Sequence, residues 1–431
     1  MFSPLTILIL SFVALLLLNV PVAFSLGLST LLAVLAIGDI PAVLLVAQRI
    51  LSGVNSFTLL AIPFFILAGA LMGRGGIARR LIYFANALVG RLPGGLALVN
   101  ILTCMLFGSI SGSSGAAVSS VGGFMIPLMN DMGYKREFNA ATTVTAATTG
   151  LLIPPSNTMI IYSLATGGIV SISTIFIAGI LPGILVGFFL MLVAAAVATQ
   201  KCYGCFERVS FYQTVIRFLH ALPALLLVVI ILGGILSGVF TPTEAAAAAV
   251  IYAFFLSVVV YKEVKIKDLP SLLTDCASTT AVVMFLVGTS IAMSWVLAYE
   301  NIPDKISTAM MALTENKYLL LILINLILLA VGTFMDMTPA ILIFTPIFLP
   351  VVINLGMHPV HFGVIMAMNL SIGLCTPPVG TSLFIGCGIA QTTVSKIIPS
   401  LLPFFAAMIF ALLLVTFIPD IALLLPRLLE Q

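Results

Sequence analysis

The 431-residue sequence is 61% hydrophobic, and only 7% of its residues are charged. Soluble globular proteins carry about 25% charged residues, so this composition indicates a polytopic membrane protein with the bilayer as its solvent. The formal net charge of +3 excludes the basic surface that nucleic-acid-binding proteins need.

Apolar segments long enough to cross the membrane as helices of about 20 residues occur in both halves of the chain. They predict spans at 3–20, 21–38, 55–73, 137–166, 172–199, 221–240, 244–261, 278–298, 360–390 and 397–419. Two of them, 137–166 and 360–390, contain a proline pair, which removes backbone donors and predicts a broken helix. The expected fold class is therefore all-α.

Residues 94–130 and 318–354 are also apolar, but each is interrupted at its middle. The interruptions read GSISGSSG at 108–115 and GTFMDMTP at 332–339. Each half, of about 17 residues, is short for a full span. We therefore expect two re-entrant hairpins, each of which enters and leaves the membrane on one side.

Two shorter stretches, 76–90 and 302–315, carry polar residues at regular intervals. They are expected to form amphipathic helices along the interface that link a moving domain to a fixed one, or plain loop helices.

The two broken helices share one motif. GLLIPPSNT at 150–158 and GLCTPPVGT at 373–381 match at an offset of 223 residues. The match predicts two repeats, 1–200 and 221–431, joined by a cytoplasmic loop at 201–220. Each repeat has five crossings and one hairpin, and an odd number of crossings inverts the second repeat relative to the first.

Basic residues are distributed unequally under this topology, with thirteen on one side and four on the other. The rule that basic loops stay in the cytoplasm assigns the richer side to the cytoplasm. Both termini are then periplasmic, the first hairpin opens from the cytoplasm, and the second opens from the periplasm.

Polar residues and glycines cluster at the four interruptions, where freed backbone groups must line a cavity or be buried in protein. Hydroxyl, amide and carbonyl oxygens suit a hard cation such as sodium, and helix N-termini suit an anion. The candidate residues are Ser109, Ser111, Ser113, Ser114, Ser156, Asn157, Thr158, Gly332, Thr333, Asp336, Thr338, Thr376, Gly380, Thr381 and Ser382.

Capping or packing is the alternative for each of these hydroxyls, and Thr338-Pro339 in particular has the pattern of an N-cap followed by proline. The symmetric placement of the four clusters favours a binding site. Asp336 is the only carboxylate expected at membrane depth in these segments, so it is interpreted as a cation ligand, a proton site or a gate, or otherwise as a helix cap. Thr241 and Glu244 form a capping-box pattern that predicts the start of a helix.

The chain resembles the large membrane subunit of tripartite ATP-independent periplasmic (TRAP) transporters. The resemblance covers essentially the full length and rests on GSISGSSGAAVSSVGGFMIPLM (108–129), LLIPPSNTMIIY (151–162), GVFTPTEAAA (238–247), FMDMTPAILIFTPIFLPV (334–351) and LCTPPVGTSLF (374–384). It implies sodium-driven uptake of organic acid anions such as C4-dicarboxylates or sialic acid. It also implies two partners, a small four-helix membrane subunit and a soluble periplasmic substrate-binding protein.

The resemblance further implies an elevator mechanism, in which transport elements at about 94–166 and 318–390 move against a scaffold formed by the remainder. One sodium site would then use Ser113, Ser156 and Asn157, and the other Thr333, Gly380 and Thr381. No cofactor is expected besides the coupling sodium ions.

Three other interpretations stay open. One is an organic anion transporter of similar fold that works without partners or is proton-coupled through Asp336. A passive channel is another, and a membrane enzyme is the least favoured, because no nucleophile–base pair or metal cluster is expected at membrane depth. No arginine is expected there either, so anion binding is expected to use helix ends and hydroxyls.

Overall fold

A computed structural model describes residues 3–38, 41–201, 203, 210–313, 316–377 and 379–429, and these residues form helices and turns without a β-strand. The first half contains α1 (Pro4–Leu17), α2 (Val22–Ile37), α3 (Ala42–Val54), α4 (Ala61–Arg74), α5 (Ile77–Val89), α6 (Gly95–Ser111), α7 (Ser114–Ala117), α8 (Gly123–Asp131), α9 (Arg136–Thr149), α10 (Asn157–Ala165) and α11 (Ile172–Gln200). The second half contains α12 (Phe211–Leu236), α13 (Pro242–Phe254), α14 (Leu269–Tyr299), α15 (Ile302–Leu313), α16 (Lys317–Phe334), α17 (Met337–Asn354), α18 (Pro359–Gly373), α19 (Thr381–Ala390), α20 (Val394–Phe417) and α21 (Asp420–Leu429).

Eight helical segments within the described ranges are long and apolar enough to cross a membrane. Most of the predicted spans are confirmed as helices, but the N-terminal region differs. Helices α1 and α2 have only 14 and 16 residues, because the chain turns at Asn19, where φ is +62°, and at Pro21. Helix α3 was not predicted, since Gln48 and Arg49 interrupt its apolar pattern.

Two helices of the second half begin earlier than predicted. Helix α12 starts at Phe211, so residues 211–220 of the predicted loop are helical, while residues 202 and 204–209 of that loop lie outside the described part of the chain. Helix α14 has 31 residues and starts well before the predicted 278. Its polar first turns contain Asp275, which forms an ion pair with Arg74 of α4.

Both predicted hairpins are present as pairs of helices joined by a tight turn. The arms of the second, Lys317–Phe334 and Met337–Asn354, are each long and apolar enough to cross a membrane, so re-entry itself stays a prediction. Helix α6 ends at Gly112, where φ is +61°, and Ser113 caps the second arm by accepting a hydrogen bond from Ala116 N at 3.3 Å. A π-helical segment, Val118–Gly122, joins α7 to α8 in that arm. In the second hairpin Asp336 caps α17, so the prediction that Thr338 is the cap was wrong.

Both broken helices are also confirmed. Residues 150–156 separate α9 from α10, and residues 374–380 separate α18 from α19. Of the second proline pair, Pro378 lies outside the described residues. The stretches 76–90 and 302–315 contain the helices α5 and α15, although residues 314 and 315 are not described. The same four elements therefore follow one another in both halves: a short linking helix, a hairpin, a broken helix and a long helix.

Candidate functional site

Each hairpin crosses its neighbouring broken helix at a pair of glycines. A Cβ added to Gly150 would lie 2.3 Å from the Cα of Gly108, and one added to Gly373 would lie 2.5 Å from the carbonyl carbon of Gly332. No side chain fits at such distances, so the two backbones touch directly. These crossings bring each hairpin tip against the break of the adjacent helix.

The two halves are also joined across the centre of the molecule. Ser382 Oγ of α19 donates to Ser114 Oγ of the first hairpin at 2.8 Å. Thr158 Oγ1 of α10 donates to the Met337 sulfur of the second hairpin at 3.6 Å. Each tip therefore contacts the broken helix of the other half, and all four interruptions meet in one place.

A cavity of about 510 Å³ opens at this meeting point. Of the site residues predicted from the sequence, the following line this cavity: Ser111, Ser113, Ser114, Asn157, Thr158, Asp336 and Thr338. The opposite wall comes from α4, through residues such as Gly69 and Gly73, and from Thr279 and Val283 of α14. The cavity thus lies between the four interruptions and the pair α4–α14, which have a common packing surface.

A second, much smaller cavity of about 20 Å³ lies between the second tip and the second break. Gly332, Thr333, Asp336, Gly380 and Thr381 line it. The backbone N–H of Val379 donates to Thr333 O at 3.3 Å and holds the break against the tip. A space of this size accepts one water molecule or one small ion.

Asp336 lines both cavities. Its Oδ1 accepts a hydrogen bond from the Met337 backbone N–H at 2.9 Å, which is the capping contact. Among the described residues its other carboxylate oxygen has no hydrogen-bond partner. Asp336 is therefore a helix cap that keeps acceptor capacity for a ligand.

Asn157 is a second acceptor in the large cavity; among the described residues, Asn86, Asn139 and Asn369 also have an unpaired buried Oδ1, but they line neither cavity. The Asn157 Oδ1 is buried and has no hydrogen-bond partner among the described residues. The side chain lies beside the first tip, since a Cβ on Gly112 would be 3.2 Å from Asn157 Nδ2. An unpaired buried oxygen costs about 1–3 kcal/mol, so a donor or a cation that binds this oxygen would relieve that cost.

Four predicted residues line neither cavity, and their hydroxyls have partners within the protein. Ser109 donates to Leu106 O at 2.8 Å, Thr376 to Ile372 O at 2.7 Å and Ser156 to Leu151 O, whereas Ser382 makes the contact with Ser114. These hydroxyls form hydrogen bonds with the backbone or, for Ser382, with the other half of the protein. They therefore fit the alternative that such residues cap or pack helices rather than bind a ligand.

Two wall residues were missed by sequence reasoning. Arg74 lines the large cavity and pairs with Asp275 at 2.6 Å, whereas the sequence predicted no arginine at membrane depth and anion binding by helix ends and hydroxyls. Gly69 lets α4 approach the first tip, since a Cβ there would lie 2.7 Å from Ser111 O. The sequence contains little signal for either residue, because an arginine or glycine near the end of a membrane helix is common.

Comparisons with known proteins agree with this architecture. Residues 9–421 match the family model of the tripartite ATP-independent periplasmic transporter, DctM component. The chain is 50% identical over 426 residues to the uncharacterized protein YgiK of Salmonella typhimurium, a match that covers 99% of this chain and 98% of YgiK.

Two further relatives have names that state a substrate. The C4-dicarboxylate TRAP transporter large permease protein DctM of Pseudomonas aeruginosa is 42% identical, with 94% of each chain covered. The sialic acid TRAP transporter large permease protein SiaM of Vibrio cholerae is 36% identical, with 95% of each chain covered.

Two solved structures share the fold at low sequence identity. MtrF of Neisseria gonorrhoeae aligns with a TM-score of 0.62 at 13% identity, over 88% of this chain and 84% of MtrF. The YdaH transporter of Alcanivorax borkumensis aligns with a TM-score of 0.62 at 14% identity, over 88% and 89% of the two chains. The fold, the paired interruptions and the sequence matches together show that this chain is a multi-pass transporter permease rather than an enzyme, and that it belongs to the TRAP transporter family as its large membrane component.

Proposed function

We propose that this protein couples sodium entry to the uptake of an organic acid anion across the bacterial inner membrane. The observation that carries the proposal is the pair of adjoining cavities that share Asp336. One has the size of a single ion and the other has room for a small organic molecule. A coupled transporter needs two such sites close enough to influence each other.

The two sodium sites would use different oxygens. The first would take Asn157 Oδ1, which has no hydrogen-bond partner among the described residues, together with Ser113 and with Ser156, whose hydroxyl donates to Leu151 O and keeps its oxygen lone pairs for a cation. The second would occupy the small cavity, beside Thr333, Gly380 and Thr381. Hydroxyl, amide and backbone carbonyl oxygens are the ligands that hard, redox-inactive cations prefer.

The substrate would bind in the large cavity. Hydroxyls of Ser111, Ser114 and Thr158 line it, and Arg74 offers a guanidinium group to a carboxylate. C4-dicarboxylates and sialic acid, the substrates after which two relatives are named, both carry carboxylate groups. We therefore assign the substrate to organic acid anions of one of these two classes.

The wall opposite the interruptions favours an elevator movement. Gly69, Ala70 and Gly73 of α4 face the cavity, and small residues leave few interlocking side chains that would resist sliding. The segments 94–166 and 318–390 would move past α4 and α14, which belong to the scaffold. Helices α5 and α15 would link the two parts.

The family description names a tripartite transporter, of which this chain is one component. We propose that a small four-helix membrane subunit and a soluble periplasmic binding protein complete it. The excess of basic residues on one side of the predicted topology favours periplasmic termini.

Uptake by the chain reconstituted in liposomes with its small membrane subunit and binding protein tests the proposal. An inward sodium gradient should drive accumulation of radiolabelled substrate, and an equal potassium gradient should not. Omission of the binding protein should reduce uptake strongly. Full uptake in potassium buffer without a proton gradient would contradict cation coupling and favour a passive channel.

Proton coupling through Asp336 is the second candidate, since this carboxylate lines both cavities and has acceptor capacity left. The same liposomes distinguish it from sodium coupling. A proton gradient that drives uptake in sodium-free buffer would support the second candidate and contradict the first.

A further inference from the structure

A separate cavity of about 460 Å³ lies away from the four interruptions, where the linking helix α5 meets α12. Helix α5 contributes Arg79, Arg80 and Tyr83, and α12 contributes Arg217 and His220. Glu263, in the chain segment after α13, is the only carboxylate in its described lining. Three guanidinium groups thus share one cavity with a single acid.

The arginines of this cavity are only partly neutralised: a Cβ added to Gly76 would lie 2.9 Å from Glu263 Oε1 and 3.0 Å from Arg80 Nη1, so this one carboxylate is near Arg80. None of the three forms an ion pair with a described residue. The Nη1 of Arg217 is buried and has no hydrogen-bond partner among the described residues. A buried charged donor without an acceptor is strongly unfavourable, so an anion is expected beside it.

Aromatic rings hold two of the guanidinium groups in place. The Arg80 guanidinium carbon lies 3.6 Å from the centroid of the Tyr261 ring, and its Nη1 donates to Gly76 O at 2.9 Å. The Arg217 guanidinium carbon lies 5.8 Å from the Tyr83 ring centroid. Such cation–π contacts restrain flexible side chains before a ligand binds. A planar guanidinium group matches the oxygens of a phosphate with two parallel hydrogen bonds.

We propose that this cavity binds the phosphate group of an anionic phospholipid. The surface around it favours a lipid over a free phosphate, because Tyr83 in its lining is exposed, as are Phe218 and Leu219, which lie between Arg217 and His220 along α12. They provide a surface for acyl chains. Under the predicted orientation the cavity faces the cytoplasmic leaflet, where basic pockets between membrane helices bind lipid headgroups.

The position of the site gives the lipid a mechanical role. Helix α5 leads from α4 into the first hairpin, and its Phe84 ring contacts Phe218 of α12 at a centroid distance of 5.5 Å. A phosphate held by arginines of both helices would fasten α5 to α12 at one end. The lipid would then set how freely the first hairpin moves.

Native mass spectrometry of the purified full chain in detergent tests the site. Titration with dioleoylphosphatidylglycerol should give one lipid bound more tightly than the others, and dioleoylphosphatidylcholine should not compete for it. Arg217→Gln should weaken this binding about fivefold, and the combined Arg79→Gln, Arg80→Gln and Arg217→Gln variant about a hundredfold. The matched control is Arg136→Gln, which removes an exposed arginine outside the cavity and should bind like the parent chain.

Three results would overturn the proposal. Equal binding of phosphatidylcholine, or unchanged phosphatidylglycerol binding by the Arg217→Gln and triple variants, would exclude a phosphate site built by these arginines. Millimolar inorganic phosphate that displaces the tightly bound lipid would assign the cavity to free phosphate instead. Thermal unfolding of every variant separates loss of binding from loss of fold.

Discussion

The two interruptions that share the PP motif have different chemistry at matching positions. Asn157 in the first corresponds to Gly380 in the second, and the capping residues of the two hairpins, Ser113 and Asp336, correspond at the same offset of 223 residues. The first half therefore presents a side-chain amide and a neutral cap. The second half presents backbone groups and a carboxylate.

This difference is reflected in the space around each break. Asn157 lines the large cavity and its buried Oδ1 has no described partner. Gly380 lies against its own chain, since a Cβ there would be 2.8 Å from Thr376 O and 2.9 Å from Leu374 O. Both repeats thus keep the break in the helix, but they differ in the oxygen atoms that are available to a ligand at matching positions. One copy borders the larger ligand space, and the other closes around a space of ionic size.

The largest effect is expected at the glycine crossings, a feature that both halves share. Gly150→Ala and Gly373→Ala should each destabilise the protein by about 1–3 kcal/mol and abolish uptake, because the new Cβ would press on a neighbouring backbone. Thermal unfolding and liposome uptake measure this. Gly123→Ala and Gly388→Ala are matched controls with no atom within 4 Å of the added Cβ. If the crossing variants behave like these controls, the glycine contacts do not hold the tips in place.

The next effect tests the charge that only the second half has. Asp336→Asn keeps the shape and should lower uptake at least about tenfold, with a weaker response to sodium, since charge-assisted contacts are worth roughly 1.5–3 kcal/mol. Glu244→Gln is the control, because Glu244 is also a carboxylate in a capping contact, at the start of α13. It should lose some stability and keep its sodium response. A normal sodium response in Asp336→Asn would reduce Asp336 to a helix cap.

A third prediction concerns the amide that only the first half has. Asn157→Ala should not destabilise the protein in sodium-free buffer, because the lost Oδ1 is unpaired among the described residues and its removal breaks no hydrogen bond. Sodium at about 100 times its Kd should stabilise the parent by about 2.7 kcal/mol, and the variant by much less. Thermal unfolding in sodium and in choline measures both.

Asn325→Ala is the matched control for this prediction. Asn325 is buried, donates to Thr416 Oγ1 at 3.1 Å and accepts from Asn369 Nδ2 at 2.9 Å. Its loss should therefore destabilise the protein by about 1–3 kcal/mol in either salt. A sodium-free loss of the same size in Asn157→Ala would show that Asn157 is a structural residue.

The smallest effect is expected at the hydrogen bond between Ser382 and Ser114, which joins the two halves. Ser114→Ala and Ser382→Ala should each cost about 1 kcal/mol, because each removes the same hydrogen bond of 2.8 Å. The double variant should cost little more than either single one, which a double-mutant cycle of unfolding free energies would show. Additive losses would mean that the two hydroxyls act independently.

Much of the transport machinery could be predicted from the sequence. Proline pairs and short polar or glycine-containing interruptions inside apolar segments are local signals, and they located both breaks and both tips. The capping box of Thr241 and Glu244 was also predicted correctly, as both of its hydrogen bonds are present. Asp336 rather than Thr338 caps α17, because a carboxylate two residues earlier already accepts from the first N–H of the helix.

Features that depend on tertiary packing could not be predicted. The glycine crossing at Gly108 and the wall formed by Gly69 depend on which helices become neighbours, and neither residue departs from ordinary membrane-helix composition. Arg74 enters the cavity lining because α14 extends far enough to present Asp275 to it. The ion and substrate assignments themselves remain predictions that the experiments above address.

Asp336 has a consequence for the energetics of transport, because one carboxylate borders two spaces. Any occupant of the small cavity that changes the charge or position of this group changes the affinity of the large cavity by some factor. Thermodynamic reciprocity then requires the occupant of the large cavity to change affinity in the small one by the same factor. A single side chain is thus sufficient for cooperative loading of the two cavities, without any long-range pathway through the protein.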